Sequence, residues 1–150
     1  MAGQDGYGIR RLSVRSSWLI GEHGNNFVET MLCLVDNHGE LSVAADQIGS
    51  PAFTKNLAPL ICDMIETEQY DVYHATNEGF CYWADLAETV FRLSEKDVAV
   101  HRVSTEEYGA KAPRLKNSRL NKRSLNEGGF EKLPAWEESL KRILFSMVLS

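Results

Sequence analysis

The sequence contains little cysteine and no long apolar run. Its three cysteines, Cys33, Cys62 and Cys81, are widely separated and include no C-x-x-C pair, so their spacing indicates neither a zinc site nor a disulfide framework. We interpret them as buried free thiols. No stretch reaches the length of a membrane span, and residues 1–8 contain no apolar run typical of a signal peptide. We therefore expect a cytoplasmic protein with no membrane partner.

Basic residues and metal-binding patterns are also scarce. The 16 Lys and Arg residues are outnumbered by 21 Asp and Glu residues, which gives a net charge of −5. Nucleic-acid binding depends on neutralising phosphates, so an acidic chain predicts no nucleic-acid partner. The four histidines show neither H-x-x-x-H nor H-E-x-x-H spacing, and we predict no metal site.

The chain does contain the pattern of an α/β domain. Apolar residues make up 43% of its 150 residues, which suits one packed domain. Segments that alternate like strands are separated by segments with helical apolar spacing, which predicts the α/β class. The strand-like segments are residues 9–17, 41–45, 71–75 and 98–103. We expect a flexible terminus over residues 1–8 and one domain over residues 9–150. Pro59 favours a helix start at Asn56 rather than Thr54.

The first predicted strand ends in a glycine-containing loop that opens a helix. Gly21 and Gly24 interrupt the strand pattern, and Asn25 or Asn26 occupies the N-cap position. Such a junction presents free backbone N–H groups, which suit an anionic ligand. Trp18 lies beside this loop, where it could stack on a ring or fill the core. The residues alone leave both roles open.

A basic segment, residues 111–123, interrupts the acidic background and contains no acidic residue. Its cations are Lys111, Arg114, Lys116, Arg119, Lys122 and Arg123. The segment could be a solvated surface stretch, a phosphate-binding segment that uses the planar fork of arginine, or a nucleic-acid patch. The nucleic-acid interpretation lacks the interleaved aromatic residues that base stacking requires.

Five motifs occur in an order and spacing that match a known family. They are R-S-S-W from Arg15, G-N-N-F-V from Gly24, D-Q-I-G-S-P from Asp46, Y-H-A-T-N-E-G-F-C from Tyr73 and K-N-S-R-L from Lys116. Together they closely resemble the C-terminal half of dTDP-4-dehydrorhamnose reductase, an extended short-chain dehydrogenase/reductase, over residues 9–144. The resemblance implies the C-terminal portion of an NAD(P)-binding Rossmann-like fold. It also implies binding of a dTDP-sugar, which the whole family enzyme reduces with NADPH from dTDP-4-dehydro-L-rhamnose to dTDP-L-rhamnose.

Two features of the family enzyme are missing from this sequence. It contains neither the glycine-rich fingerprint that holds the dinucleotide nor the catalytic Tyr-x-x-x-Lys pair. The resemblance places its start just after the catalytic Lys and the N-terminal dinucleotide-binding half outside it. We therefore predict no catalytic and no cofactor-binding residue, weak or no activity alone, and a separate cofactor-binding half as a partner. Some family members bridge dimers through Mg²⁺, but the resemblance assigns no ligand for it here.

The resemblance also implies roles for particular side chains. Trp18 would lie against the deoxysugar, Asn26 near the diphosphate, and Arg114 would clamp phosphate, although Leu115 follows it where the family has proline. Asp46, Gln47 and Ser50 would shape the nucleotide end. The full predicted set is Trp18, Asn25, Asn26, Asp46, Gln47, Ser50, Arg114 and Asn117.

Two of the predicted strands would lie in the large sheet of the cofactor domain in the family. Without that domain, the strands over residues 9–17 and 72–75 lose neighbours, and unpaired edges favour association. We therefore predict a homo-oligomer. The alternative function is a non-catalytic regulatory or oligomerisation module derived from the same family.

Overall fold

The structure, a computed structural model, describes residues 10–148, and Val148 by its backbone alone. The predictions for residues 1–8 and for Ile9 lie outside the described residues. Strands and helices alternate along the chain, which confirms the α/β class. The elements are β1 Ser13–Arg15, β2 Leu19–Ile20, α1 Phe27–Val35, β3 Glu40–Ala44, β4 Ile48–Gly49, β5 Ala52–Phe53, α2 Thr54–Ile65, β6 Val72–His74, β7 Cys81–Tyr82, α3 Trp83–Leu93, β8 Ala99–Val103, α4 Thr105–Tyr108, α5 Arg123–Glu127 and α6 Trp136–Val148.

The strands of the described part pair two by two. Three pairs are parallel, namely β1 with β6, β2 with β5 and β3 with β8, and β4 pairs antiparallel with β7. Parallel pairs need long crossover connections, and the helices supply them. The longest pair runs from Glu40 opposite Ala99 to Ala44 opposite Val103, and its carboxyl end leads directly into the candidate site.

Local signals account for where α1 and α3 begin, but not for the start of α2. Asn26 caps α1, because its Oδ1 accepts the Glu29 backbone N–H at 3.2 Å. Asp85 substitutes for a capping side chain at α3, since its Oδ2 accepts the Tyr82 backbone N–H at 2.8 Å. The predicted late start of α2 is wrong. The helix begins at Thr54 with Pro59 inside it, because β5 ends at the buried Phe53 immediately before.

Two apolar clusters hold the helices and strands together. The larger cluster joins α1, α3 and α6 to β3, and Leu86, Val90 and Leu140 are fully buried in it. The smaller cluster packs α2 and α5 against β6 around Tyr73 and Leu125. Side-chain burial of this kind is the main stabilising term in a domain of this size.

The expectation of three buried thiols is wrong for two of them. Cys33 on α1 and Cys62 on α2 are exposed, because each lies on the outward face of its helix. Cys81 in β7 is buried, and burial raises the pKa of its thiol to about 12. The helices of the described part are too short or too polar for any of them to cross a lipid bilayer.

Candidate functional site

An open apolar cleft of about 250 Å³ lies between α1, the end of β3 and the segment that follows β8. Its polar side chains are few and stand at its edge. It is lined by Phe27, Met31, Ser42, Val43, Ala44, Gln47, Trp83, Tyr108, Ala110 and Arg114. An apolar cleft with a few convergent polar groups is the usual form of a small-molecule site.

An aromatic stack forms the rear wall of the cleft. The rings of Trp18 and Trp83 are stacked with centroids 3.7 Å apart, and Phe27 lies 4.6 Å from Trp83 at a tilted angle. Trp18 is held at a φ of 47°, in the left-handed region that non-glycine residues rarely adopt. Its ring also lies against Gly49, where no side chain intervenes. Trp18 therefore packs within the protein directly behind the cleft, and its contact with a deoxysugar stays a prediction.

Arg114 stands at the edge of the cleft with an exposed guanidinium. Within the described part of the chain, neither Arg114 nor Lys111 makes an ion pair or a side-chain hydrogen bond. The other cations of the basic segment are engaged by the protein, in the contacts Lys116–Asp46, Arg119–Asn117, Lys122–Glu78 and Arg123–Glu127. An unpaired guanidinium beside an apolar cleft suits a phosphate, to which it offers two parallel N–H donors.

Asp46 and Gln47 both hydrogen-bond to Thr105, which precedes the cleft-lining residues Tyr108 and Ala110. Asp46 Oδ1 accepts the Thr105 backbone N–H at 2.9 Å and its hydroxyl at 2.6 Å. Gln47 Nε2 donates to the Thr105 oxygen at 3.0 Å. The hydrogen bonds from Thr105 lower the pKa of Asp46, and Lys116 nearby lowers it further, so Asp46 is ionised at neutral pH.

Thr105 does not line the cleft but contacts the predicted site residues Asp46 and Gln47, and the sequence analysis did not predict this contact. It is the first residue of α4, and a capping box stabilises the N-terminus of this helix. Ser104 Oγ accepts the Glu107 backbone N–H, and Glu107 Oε2 accepts the Ser104 backbone N–H. The run S-T-E-E carries the signal of such a box and could have predicted this short helix. Nothing in the sequence indicates that Thr105 meets Asp46, because 59 positions separate them.

The remaining predicted site residues lie outside the cleft lining. Asn25 and Asn117 are exposed, and the Asn117 side chain accepts hydrogen bonds from Arg119. Asn26 serves as the α1 cap described above. Ser50 is fully buried and donates to the Gly79 carbonyl oxygen at 2.5 Å. The structure thus brings Gln47 and Arg114 together at the cleft, with Trp18 and Asp46 directly behind its walls.

The loop before α1 is poorly suited to the pyrophosphate of a dinucleotide. Helix α1 follows the glycine-containing loop. Asn26 caps its N-terminus, and Glu29 lies in its first turn. Glu22 lies in the same loop and pairs with Lys55. A pyrophosphate there would lie near the carboxylates of Glu22 and Glu29, and one of the first backbone N–H groups of the helix is already bound by Asn26. No group of three or more potential ligands among His, Cys, Asp and Glu lies close enough together in residues 10–148 to hold a metal.

The fold is that of the extended short-chain dehydrogenase/reductases. A crystal structure of dTDP-4-dehydrorhamnose reductase from Bacillus anthracis, in complex with NADP, matches this chain with a TM-score of 0.86 and 44% identity. The match covers 89% of this chain and 47% of that chain. The predicted fold class is confirmed.

The family described as RmlD substrate binding domain matches residues 7–148, and the chain belongs to this family. The spore coat polysaccharide biosynthesis protein SpsK of Bacillus subtilis is 40% identical over 131 residues, which are 87% of this chain and 46% of that protein. The dTDP-4-dehydrorhamnose reductase of Sinorhizobium fredii is 33% identical over 147 residues, 91% of this chain and 50% of that protein. The chain therefore spans about half the length of these relatives, and the resemblance found in its motifs is confirmed.

Proposed function

We propose that this chain binds a dTDP-linked sugar as the substrate-binding portion of an NADPH-dependent dTDP-4-dehydrorhamnose reductase. The observation that carries the proposal is the guanidinium of Arg114 beside the apolar cleft, which has no ion-pair partner among residues 10–148. Membership of the substrate-binding family and the names of the relatives support the choice of ligand.

The cleft suits the two chemical parts of such a ligand. Arg114 forms bidentate hydrogen bonds to the diphosphate, the group with the highest charge density in a nucleotide sugar. Phe27, Met31 and Tyr108 provide apolar surface for a ring, and Tyr108 is 58% exposed and free to pack on it. Gln47 presents an amide at the edge of the cleft. Binding therefore combines one charged anchor with apolar burial.

Reduction requires a second, cofactor-binding half. The loop before α1 is poorly suited to the pyrophosphate of NADPH, so we assign hydride transfer to a partner that supplies the dinucleotide site and the proton donor. The pair β1–β6 is the surface for that partner, because parallel sheets normally contain more strands and are covered on both faces. Because the dinucleotide site belongs to the partner in this proposal, we expect weak or no reductase activity for the chain alone.

Calorimetric titration with dTDP tests the binding proposal. We expect saturable binding by the unmodified chain and a loss of affinity of about tenfold or more in Arg114→Ala, because one charge-assisted contact contributes about 1.5–3 kcal/mol. Arg123→Ala is the matched control, since Arg123 lies in the same basic segment but is paired with Glu127 at 2.6 Å. Equal affinities for all three proteins would contradict the role of Arg114, and no heat with any of them would contradict dTDP binding.

The alternative function, a non-catalytic oligomerisation module, is favoured by the same strand pair. Val72 in β6 is 39% exposed, and the two-stranded parallel sheet has few neighbours. We expect self-association at high micromolar concentration in sedimentation experiments, and Val72→Lys to weaken it because a charge blocks edge pairing. Ile65→Lys, at an exposed apolar position on α2, is the control. A monodisperse monomer would remove the homo-oligomer and this alternative with it.

A further inference from the structure

The segment 105–116, here named the strap, carries three of the residues that line the cleft. Tyr108, Ala110 and Arg114 all belong to it. The strap has little packing of its own, since residues 106–109 and 111–116 are exposed. Gly109, with a φ of 72°, ends α4 and turns the chain away from the helix axis. The position of Arg114 therefore depends on how the two ends of the strap are fixed.

One carboxylate contacts both ends of the strap. At one end, Asp46 Oδ1 accepts hydrogen bonds from the Thr105 backbone N–H at 2.9 Å and from the Thr105 hydroxyl at 2.6 Å. Asp46 Oδ2 lies 3.5 Å from the Lys116 ammonium at the other end. The Lys116 end is also fixed by the backbone, because the Ile48 N–H donates to the Lys116 carbonyl oxygen at 2.9 Å. The Thr105 end follows β8, whose last residue Val103 accepts the Ala45 backbone N–H at 2.8 Å, and the side chains of Asp46 and Gln47 hold Thr105 itself.

We propose that Asp46 is a positioning residue that anchors the strap so that Arg114 faces the cleft. The inference rests on the proposed binding function and assigns Asp46 an indirect part in it. Charge supports this assignment, because an ionised carboxylate in contact with a diphosphate would repel it. The ionised Asp46 carboxylate instead lies beside the Lys116 ammonium, which offsets its charge, and accepts its hydrogen bonds from Thr105 of the strap.

A double-mutant cycle between Asp46 and Arg114 tests the proposal. We expect Asp46→Asn to weaken dTDP binding about tenfold, the size of effect seen when a charge-assisted contact is lost. In the Asp46→Asn background, Arg114→Ala should cost far less than in the unmodified chain, because Arg114 is already misplaced there. Thr105→Val removes the hydroxyl alone and should shift binding in the same direction. Asp36→Asn, which breaks an exposed pair with Lys96, is the matched control.

Limited trypsin digestion measures how readily the strap opens, and the experiment needs no ligand. Cleavage after Lys111 and Arg114 should be several times faster in Asp46→Asn and Thr105→Val than in the unmodified chain or in Asp36→Asn, because local opening controls cleavage. Unchanged cleavage together with independent effects of Asp46 and Arg114 on affinity would overturn the proposal. If the unmodified chain binds no dTDP, the proposed function fails, and the digestion still decides whether Asp46 anchors the strap.

Discussion

Replacing Asn77 by alanine is expected to lower the free energy of unfolding by about 2–4 kcal/mol, because it leaves the buried Phe53 N–H without a partner and removes three further hydrogen bonds. Asn77 is fully buried in the loop that follows β6. Its Oδ1 accepts the Phe53 backbone N–H at 3.0 Å. Its Nδ2 lies 3.0 Å from Asn56 Oδ1 and 2.9 Å from Ser139 Oγ.

This single amide connects three parts of the fold. Phe53 and Asn56 lie at the start of α2, Ser139 lies in the first turn of α6, and Nδ2 is also 3.0 Å from the Pro134 carbonyl oxygen just before α6. Alanine would leave the buried Phe53 N–H without an acceptor, which costs about 1–3 kcal/mol. The Pro134 carbonyl oxygen keeps the Glu78 backbone N–H, and Asn56 Oδ1 keeps the Ser139 hydroxyl. The loss should also loosen the contact between the two apolar clusters.

Urea unfolding monitored by circular dichroism measures the effect of Asn77→Ala. The midpoint should fall while the slope m stays near its original value, since the surface exposed on unfolding is unchanged. Asn37→Ala, at an exposed asparagine after α1, is the control and should stay within about 0.5 kcal/mol of the unmodified chain. A midpoint for Asn77→Ala equal to that of the control would show that the buried network contributes nothing net.

The sequence predicts the elements that depend on local signals. The helices α1 and α3 follow from apolar spacing, and Asn26 was one of two cap candidates because Asn caps by accepting an N–H three residues later. Asp85 was harder to predict, since it reaches back to the backbone of Tyr82 instead of capping from the usual position. At both helices a nearby side chain forms the hydrogen bond at the N-terminus, although its position relative to the first helical residue differs.

The parts that sequence reasoning missed depend on distant residues. No local pattern marks Asn77 as part of a buried network, because its partners Asn56 and Ser139 are 21 and 62 positions away. Asp46 was placed in the site by family resemblance, but its contact with Thr105 appears only when β3 and β8 lie side by side. Pairing of strands decides such contacts, and no single segment encodes them.

Replacing Gly49 by alanine is expected to lower the free energy of unfolding by about 1–3 kcal/mol, the usual cost of overpacking a filled site. A Cβ at this position would lie 2.7 Å from Trp18 Cε2 and 2.6 Å from Ser118 Oγ. The backbone of Gly49 is held in β4 by pairing with Cys81, and the Trp18 ring has Trp83 stacked against it at 3.7 Å. An added Cβ at Gly49 would therefore push the Trp18 ring, and Trp83 stacked on it, out of position.

The same substitution should weaken dTDP binding, because Trp83 lines the cleft and shifts with Trp18. Near-ultraviolet circular dichroism reports the stacked indoles directly, and urea unfolding gives the loss of stability. Gly39→Ala is the matched control, since a Cβ at Gly39 meets nothing within 4 Å. If Gly49→Ala keeps both the indole signal and the affinity of the control, the ring stack does not define the rear wall of the cleft. If stability, stacking and affinity fall together, the shape of the cleft depends on a glycine that never touches the ligand.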